Sequence, residues 1–192
     1  MSKIPEHLGG HNNKTWEDKG ALEYLKDNYN ITSMIDVGCG PGGQVKTAKK
    51  LGLESTGIDG DPSVNPMILH DFTIGKPDVD QEFDLAWSVE FLEHVPEEYM
   101  DNYFSLFEKS KYIVCTANPN DGKYHYNLHP RDWWINEFEK RGFIYNEKIL
   151  NGVLKNSTME RKTDKKTRKS YTWLEQSGMA FVNSRYEEDS MV

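Results

Sequence analysis

At 192 residues, 36% of them apolar and 28% charged, the chain suits one domain with a single substantial core. No stretch approaches the roughly 18 uninterrupted apolar residues of a membrane span, and residues 1–6 lack the apolar run of a secretory signal. A formal net charge of −8 argues against broad phosphate-backbone binding, and two cysteines that make neither a disulfide framework nor a metal spacing point to a reducing cytoplasm.

Residues 1–14, with Gly9, Gly10 and His11, read as an extended N-terminal arm, and His11 is placed to fold over a ligand as a lid. Thr15 is the expected N-cap of a first helix, with Glu17 and Asp18 in its first turn and Trp16, Ala21, Leu22 and Leu25 on its apolar face. A strand is expected over 33–37, then a glycine-rich turn and a helix over 43–51 closed by Gly52. Further strands are expected over 55–58, 67–69, 83–87 and 112–116, the last rich in β-branched residues. A helix over 97–109 carries Tyr99, Tyr103, Phe104 and Phe107 on its inner stripe, and another fills 132–140 before Gly142. A sixth strand is expected over 143–150 and a last one over 178–183. Between them, 151–176 is a basic insertion without clear helix, and 187–192 is an acidic, frayed tail. The domain proper is then 15–186.

Alternating strand and helix predicts an α/β, doubly wound, mainly parallel sheet, whose ligands bind beyond the carboxyl ends of the strands. That rim collects residues 38–43, Asp59, Asp71, residues 88–94 and the loop 117–130. Gly38, Gly40 and Gly43 satisfy the G-x-G-x-x-G fingerprint, and Asp59 lies about twenty residues on, as a dinucleotide fold would want. Asp36 weighs against a dinucleotide, because a carboxylate beside a pyrophosphate is repulsive, whereas a sulfonium or ammonium welcomes it.

Residues 36–42 (Asp-Val-Gly-Cys-Gly-Pro-Gly), the acidic Asp59 and the run from Ser88 to Val95, ending Leu-Glu-His-Val, resemble the class I S-adenosylmethionine-dependent methyltransferases of the small type. The resemblance runs from about residue 15 to 150 and takes in the final strand. It implies a Rossmann-like seven-stranded sheet with an antiparallel last strand and S-adenosyl-L-methionine as cofactor. It further implies that Asp36, Gly38, Cys39, Gly40 and Gly42 surround the methionine part and that Asp59 accepts from the ribose hydroxyls. Gly60, Asp71 and Phe72 would meet the adenine, and Ser88 and Glu90 would border the methyl group.

Methyl transfer to an alcohol or phenol wants a nearby base, transfer to an amine wants prior deprotonation, and a carboxylate wants neither. The candidate bases are His125 and His129, with Tyr126 beside them, in the loop after the fifth strand, and His94 after the fourth. Glu93 reads as the start or cap of the following helix. Metal assistance would want clustered carboxylates or histidines at ligand spacing, and none stands out along the sequence. The expected acceptor is the oxygen or nitrogen of a small-molecule or sugar-like compound. Nucleic acid or protein methylation through the basic 155–169 segment, a non-catalytic S-adenosylmethionine-binding domain and a NAD-dependent oxidoreductase are the alternatives. Ser88-Val89-Glu90-Phe91 replaces the Asn/Asp-Pro-Pro-aromatic signature of amino-group methylation on bases.

Overall fold

The computed structural model describes residues 8, 10–164 and 167–186, so the acidic tail, most of the arm's start, Gly9, Lys165 and Lys166 lie outside the described residues. In chain order the elements are α1 (Lys19–Tyr29), β1 (Ser33–Val37), α2 (Gly43–Lys50), β2 (Glu54–Asp59), β3 (Ile68–Leu69), β4 (Phe83–Ser88) and α3 (Met100–Phe107). There follow β5 (Ser110–Thr116), α4 (Arg131–Lys140), β6 (Phe143–Tyr145), α5 (Glu147–Asn156), β7 (Lys162–Thr163), β8 (Ser170–Tyr171), α6 (Trp173–Ser177) and β9 (Gly178–Asn183). Seven strands form one sheet in the order β3-β2-β1-β4-β5-β9-β6. β3, β2, β1, β4 and β5 run parallel, and β9 is antiparallel to both of its neighbours, β5 and β6. This is the doubly wound, mainly parallel α/β sheet with an antiparallel last strand that the alternation predicts.

Side-chain alternation along the central strands sorts the core into two layers. Ile35, Ala86, Ile113, Cys115, Met179 and Phe181 face one side, where Phe104 and Phe107 of α3 and Trp134 and Phe138 of α4 cover them. Phe138 stacks on Phe181 with centroids 4.1 Å apart, the centre of an aromatic layer. Met34, Leu85, Trp87, Val114 and Ala180 face the other side, under α1, α2, α5 and α6.

Four expectations about elements need correction. Asp18, not Thr15, caps α1: its carboxylate accepts from Ala21 N at 3.0 Å, while Thr15 Oγ1 accepts from Gly43 N at the start of α2. Trp16 therefore precedes the helix. The 97–109 helix is a short 3₁₀ turn, Glu97–Tyr99, followed by α3. The sixth strand stops at Tyr145, because Asn146 caps a helix through Ile149 N at 2.9 Å, and Ile149, Leu150 and Val153 then recur at helical spacing. Finally, the segment taken as non-helical holds most of α5, the β7–β8 hairpin and α6, whose Thr172 and Glu175 form a reciprocal capping box.

Candidate active site

The glycine turn leaves β1 in the left-handed region, with φ of +78° at Gly38, +48° at Gly40 and +74° at Gly42. A Cβ at Gly38 would also run into the Phe91 ring. The turn is pinned to the next strand: Gly38 N and Cys39 N both donate to Ile58 O, and Gly40 N donates to Asp59 Oδ2 at 2.8 Å. Two adjoining cavities open above it, a larger one of about 420 Å³ and a smaller one of about 50 Å³. Gly38, Glu90, His94 and the arm's Gly10 and His11 line both.

Asp36, Gly38, Cys39 and Gly40 line the larger cavity. Asp36 is buried and its Oδ2 has no partner among the described residues; burial, then the neighbouring Asp59, pushes its carboxyl up to about 8. Burial also pushes the Cys39 thiol up, so it is an un-ionised wall residue. Asp59, Gly60, Asp71 and Phe72 line the smaller cavity. Both Asp59 oxygens already serve the backbone, through Gly40 N and through Asp61 N at 2.9 Å, and burial raises its carboxyl pKa. Leu8 sits over Gly60, and His11 Nε2–H donates to Asp61 Oδ2 at 2.9 Å, so the arm roofs this cavity.

Two of the expected cofactor contacts lie elsewhere. Gly42 faces a separate depression with Val45 and Met67. The Ser88 hydroxyl is fully buried and donates to Val37 O at 2.9 Å, bracing β4 against β1. Glu90 does reach the site. Its backbone is held at φ +58° by Glu90 N donating to Thr116 Oγ1 at 2.8 Å, and burial pushes its carboxyl up to about 7.

The histidines divide. His129 lines neither cavity: it stacks on Trp133 at 3.6 Å and donates from Nε2 to Glu97 Oε2 at 3.0 Å. Tyr126 is exposed. His94 and His125 line the larger cavity with rings 4.8 Å apart and perpendicular. Each donates Nδ1–H to a backbone carbonyl, Tyr124 O and Asn120 O respectively, at 2.8 Å, which leaves each Nε2 with its lone pair. Burial, then His125 and His11 close by, lowers the His94 pKa to about 4, so its ring is neutral. Glu93 does not cap the next helix; its side chain is wholly buried and, among the described residues other than Glu90, both carboxylate oxygens lack a hydrogen-bond partner.

Sequence reasoning missed the aromatic end of the larger cavity. Trp16 and Trp173 meet edge to face at 5.8 Å, with Lys162 Nζ 3.9 Å over Trp173 and 5.1 Å over Trp16. Burial lowers the Lys162 pKa. Lys162 is the described member of the basic segment that turns into the cavity; Arg161 pairs with Glu175 at 2.9 Å, and Lys155, Arg168 and Lys169 are exposed. No local pattern links residues 16, 162 and 173, which lie before α1, on β7 and at the start of α6.

No protein-family model and no curated protein sequence matches the chain. Solved structures do. A TehB-like S-adenosylmethionine-dependent methyltransferase from Corynebacterium glutamicum superposes with a TM-score of 0.61 at 13% identity, over 85% of this chain and 87% of that one. The 1,6-didemethyltoxoflavin N1-methyltransferase of Burkholderia thailandensis, solved with its substrate and S-adenosylhomocysteine, gives 0.57 at 12% identity, over 85% and 76%. Magnesium protoporphyrin IX methyltransferase from Synechocystis, solved with bound S-adenosylmethionine, gives 0.55 at 16% identity, over 85% and 76%. The strand order, the antiparallel β9 and these superpositions agree: the fold is that of the class I S-adenosylmethionine-dependent methyltransferases.

Proposed function

We propose that this chain is an S-adenosylmethionine-dependent methyltransferase acting on an oxygen or nitrogen of a small-molecule or sugar-like acceptor. The observation that carries the cofactor reading is Asp36, a buried carboxyl with an unpartnered oxygen on the wall of the larger cavity. A sulfonium or ammonium offsets the charge of that group when it ionises, whereas a pyrophosphate supplies no such compensation and would hold it protonated. Two of the structurally similar enzymes hold this cofactor or its product.

In this reading the methionine part lies beside Gly38 and Gly40, and Asp59 takes the ribose hydroxyls on its remaining lone pairs. The adenine lies against Gly60, Asp71 and Phe72, for which Leu8 and His11 must swing off the smaller cavity. The acceptor enters past Trp16, Trp173 and Lys162, a surface suited to the flat face of a ring or sugar carrying a polar or anionic group. The acceptor's lone pair forms the new bond to the methyl carbon as the carbon–sulfur bond breaks, and its electron pair stays on sulfur. Alignment and exclusion of water are the main contributions asked of the protein.

Of the three histidines, His94 and His125 have the free nitrogen lone pairs at the cavity wall that chemistry at the acceptor end needs. Replacing His125 with Ala is expected to slow turnover about a hundredfold while leaving cofactor affinity within about twofold. The same change at His129 is expected to leave turnover within about twofold, and single-turnover kinetics on both variants checks the pair.

The test of the whole reading is calorimetric titration with S-adenosylhomocysteine and with NAD, then incubation with methyl-labelled cofactor and a panel of acceptors. Tighter binding of NAD overturns the cofactor. Binding of S-adenosylhomocysteine with no transfer to any small molecule, nucleic acid or protein leaves a non-catalytic binding domain.

A further inference from the structure

The sequence shows no metal-ligand spacing, yet folding brings donor atoms of Glu93, His94 and His125 within 4.8 Å of one another. Three properties set this cluster apart from a chance gathering of polar groups. First, Glu93 is wholly buried and, among the described residues other than the facing Glu90, neither carboxylate oxygen has a hydrogen-bond partner, a rare state for a buried acidic group. Burial, then the facing Glu90, raises its carboxyl pKa well above the usual range, and the Glu93 and Asn118 N–H groups offset this only in part. Second, a further carboxylate, Glu90, faces it, held by Thr116 Oγ1 at 3.3 Å and Asn118 Nδ2 at 3.5 Å. Third, both imidazoles are already oriented as metal ligands are: Nδ1–H is fixed on a backbone carbonyl and Nε2 is left as the donor.

We infer that Glu93, His94 and His125, with Glu90 as the adjoining fourth donor, bind one divalent first-row transition ion. Two imidazole nitrogens with carboxylate oxygen select such an ion over calcium or magnesium, which prefer all-oxygen shells. Four-coordinate donors at bond lengths of about 2.0–2.2 Å stand about 3.3–3.6 Å apart, so the cluster closes by about an ångström on binding. His125 lies in the loop between β5 and α4, where Tyr126 N and Asn127 N donate to Glu93 O at 2.8 and 3.0 Å and so already hold the loop against the buried carboxylate. The cation would compensate the charge of the two acidic groups that face each other in one buried site. Its place at the acceptor end, where it would act as a Lewis acid on an incoming oxygen taken as a fifth donor, rests on the methyltransferase reading.

The experiment is titration of untagged, chelator-treated protein with Co2+, followed by ligand-field absorption and by metal content after dialysis. S-adenosylhomocysteine binding is measured on the same samples. One Co2+ per chain is expected, with affinity lowered about a hundredfold or more in H125A and E93Q and unchanged in H129A. S-adenosylhomocysteine binding retained by H125A shows that this variant is folded. No stoichiometric Co2+, or equal affinity in H125A and wild type, overturns the site. Co2+ bound without S-adenosylhomocysteine overturns the cofactor assignment and leaves the metal site standing; the converse overturns the metal site and leaves the cofactor.

Discussion

In the proposed reading, the proton of Asp36 reports which ligand the site takes. Burial and Asp59 hold its carboxyl at about 8, with the Cys39 thiol as the other titratable neighbour, so below that pH the empty protein keeps Asp36 protonated. A bound sulfonium favours the carboxylate, so binding near neutral pH must release that proton. Affinity for S-adenosylmethionine is therefore expected to rise with pH between about 6 and 7.5, by up to tenfold per unit, and to level off above about 8. Asp36→Asn should weaken binding and flatten the profile. Calorimetry in buffers of different ionisation enthalpy counts the proton, and a wild-type profile already flat over that range would remove Asp36 from cofactor recognition. That Asp36, Gly38, Gly40 and Asp59 stand on the cavity walls was legible in the sequence, because each is set by its own strand end and turn. Glu93 was not: read along the chain it looks like a helix-starting acid, and only the loop carrying His125 gives its carboxylate a different setting.

At the scale of elements, β1, β2, β4, β5 and β9 were read with little error, and β6, the β7–β8 hairpin and the helices with more. Strand limits follow from near-continuous burial, which a sheet covered on both faces imposes on every central strand. The stretch 143–150 misled because Phe143, Ile144, Tyr145, Ile149 and Leu150 are all good strand formers, and the side chain of Asn146 decides the switch to helix. α5 then crosses α1 at close quarters. Gly20 of α1 is buried against the Asn156 carbonyl, where a Cβ would collide with backbone. In an open helix Gly→Ala adds about 0.5–1 kcal/mol; here G20A is expected to reverse sign and cost about 1–3 kcal/mol through overpacking.

Asp18 joins the same two helices. Its buried carboxylate caps Ala21 N and accepts from Thr158 N at 2.8 Å and from the Ser157 hydroxyl. Asp18→Ala removes a cap and leaves the Thr158 N–H without that partner, at an expected cost of about 2–4 kcal/mol. Urea unfolding monitored by circular dichroism measures both variants, and an Asp18→Ala midpoint equal to wild type would refute the assigned tie.

For the whole molecule, Asp36's proton becomes a stability term. A carboxyl whose folded pKa is raised binds its proton more tightly in the native than in the unfolded state. Its contribution to stability is thus full below about pH 4 and is lost as pH rises through the folded value of about 8. This term lowers the melting temperature of the ligand-free protein between pH 5.5 and 8.5, and saturating S-adenosylmethionine, by favouring the carboxylate, should narrow the difference. Calorimetric scans at both pH values measure it; an Asp36→Asn variant with the same difference would assign the pH dependence to other groups.

The position of β9 also governs the order in which the molecule can be assembled. It lies between β5 and β6, so β6 has no edge to join until residues 178–183 have left the ribosome. Through synthesis of the preceding residues the nascent chain must carry the β5 edge unpaired, with Ile113 and Cys115 lacking the cover of Met179 and Phe181. The site is then completed late and all at once, since Trp173 on α6 takes its place as β9 docks. A cell producing this protein meets an exposed sheet edge during elongation, and holding it clear of other chains is a task for chaperones bound to the emerging polypeptide.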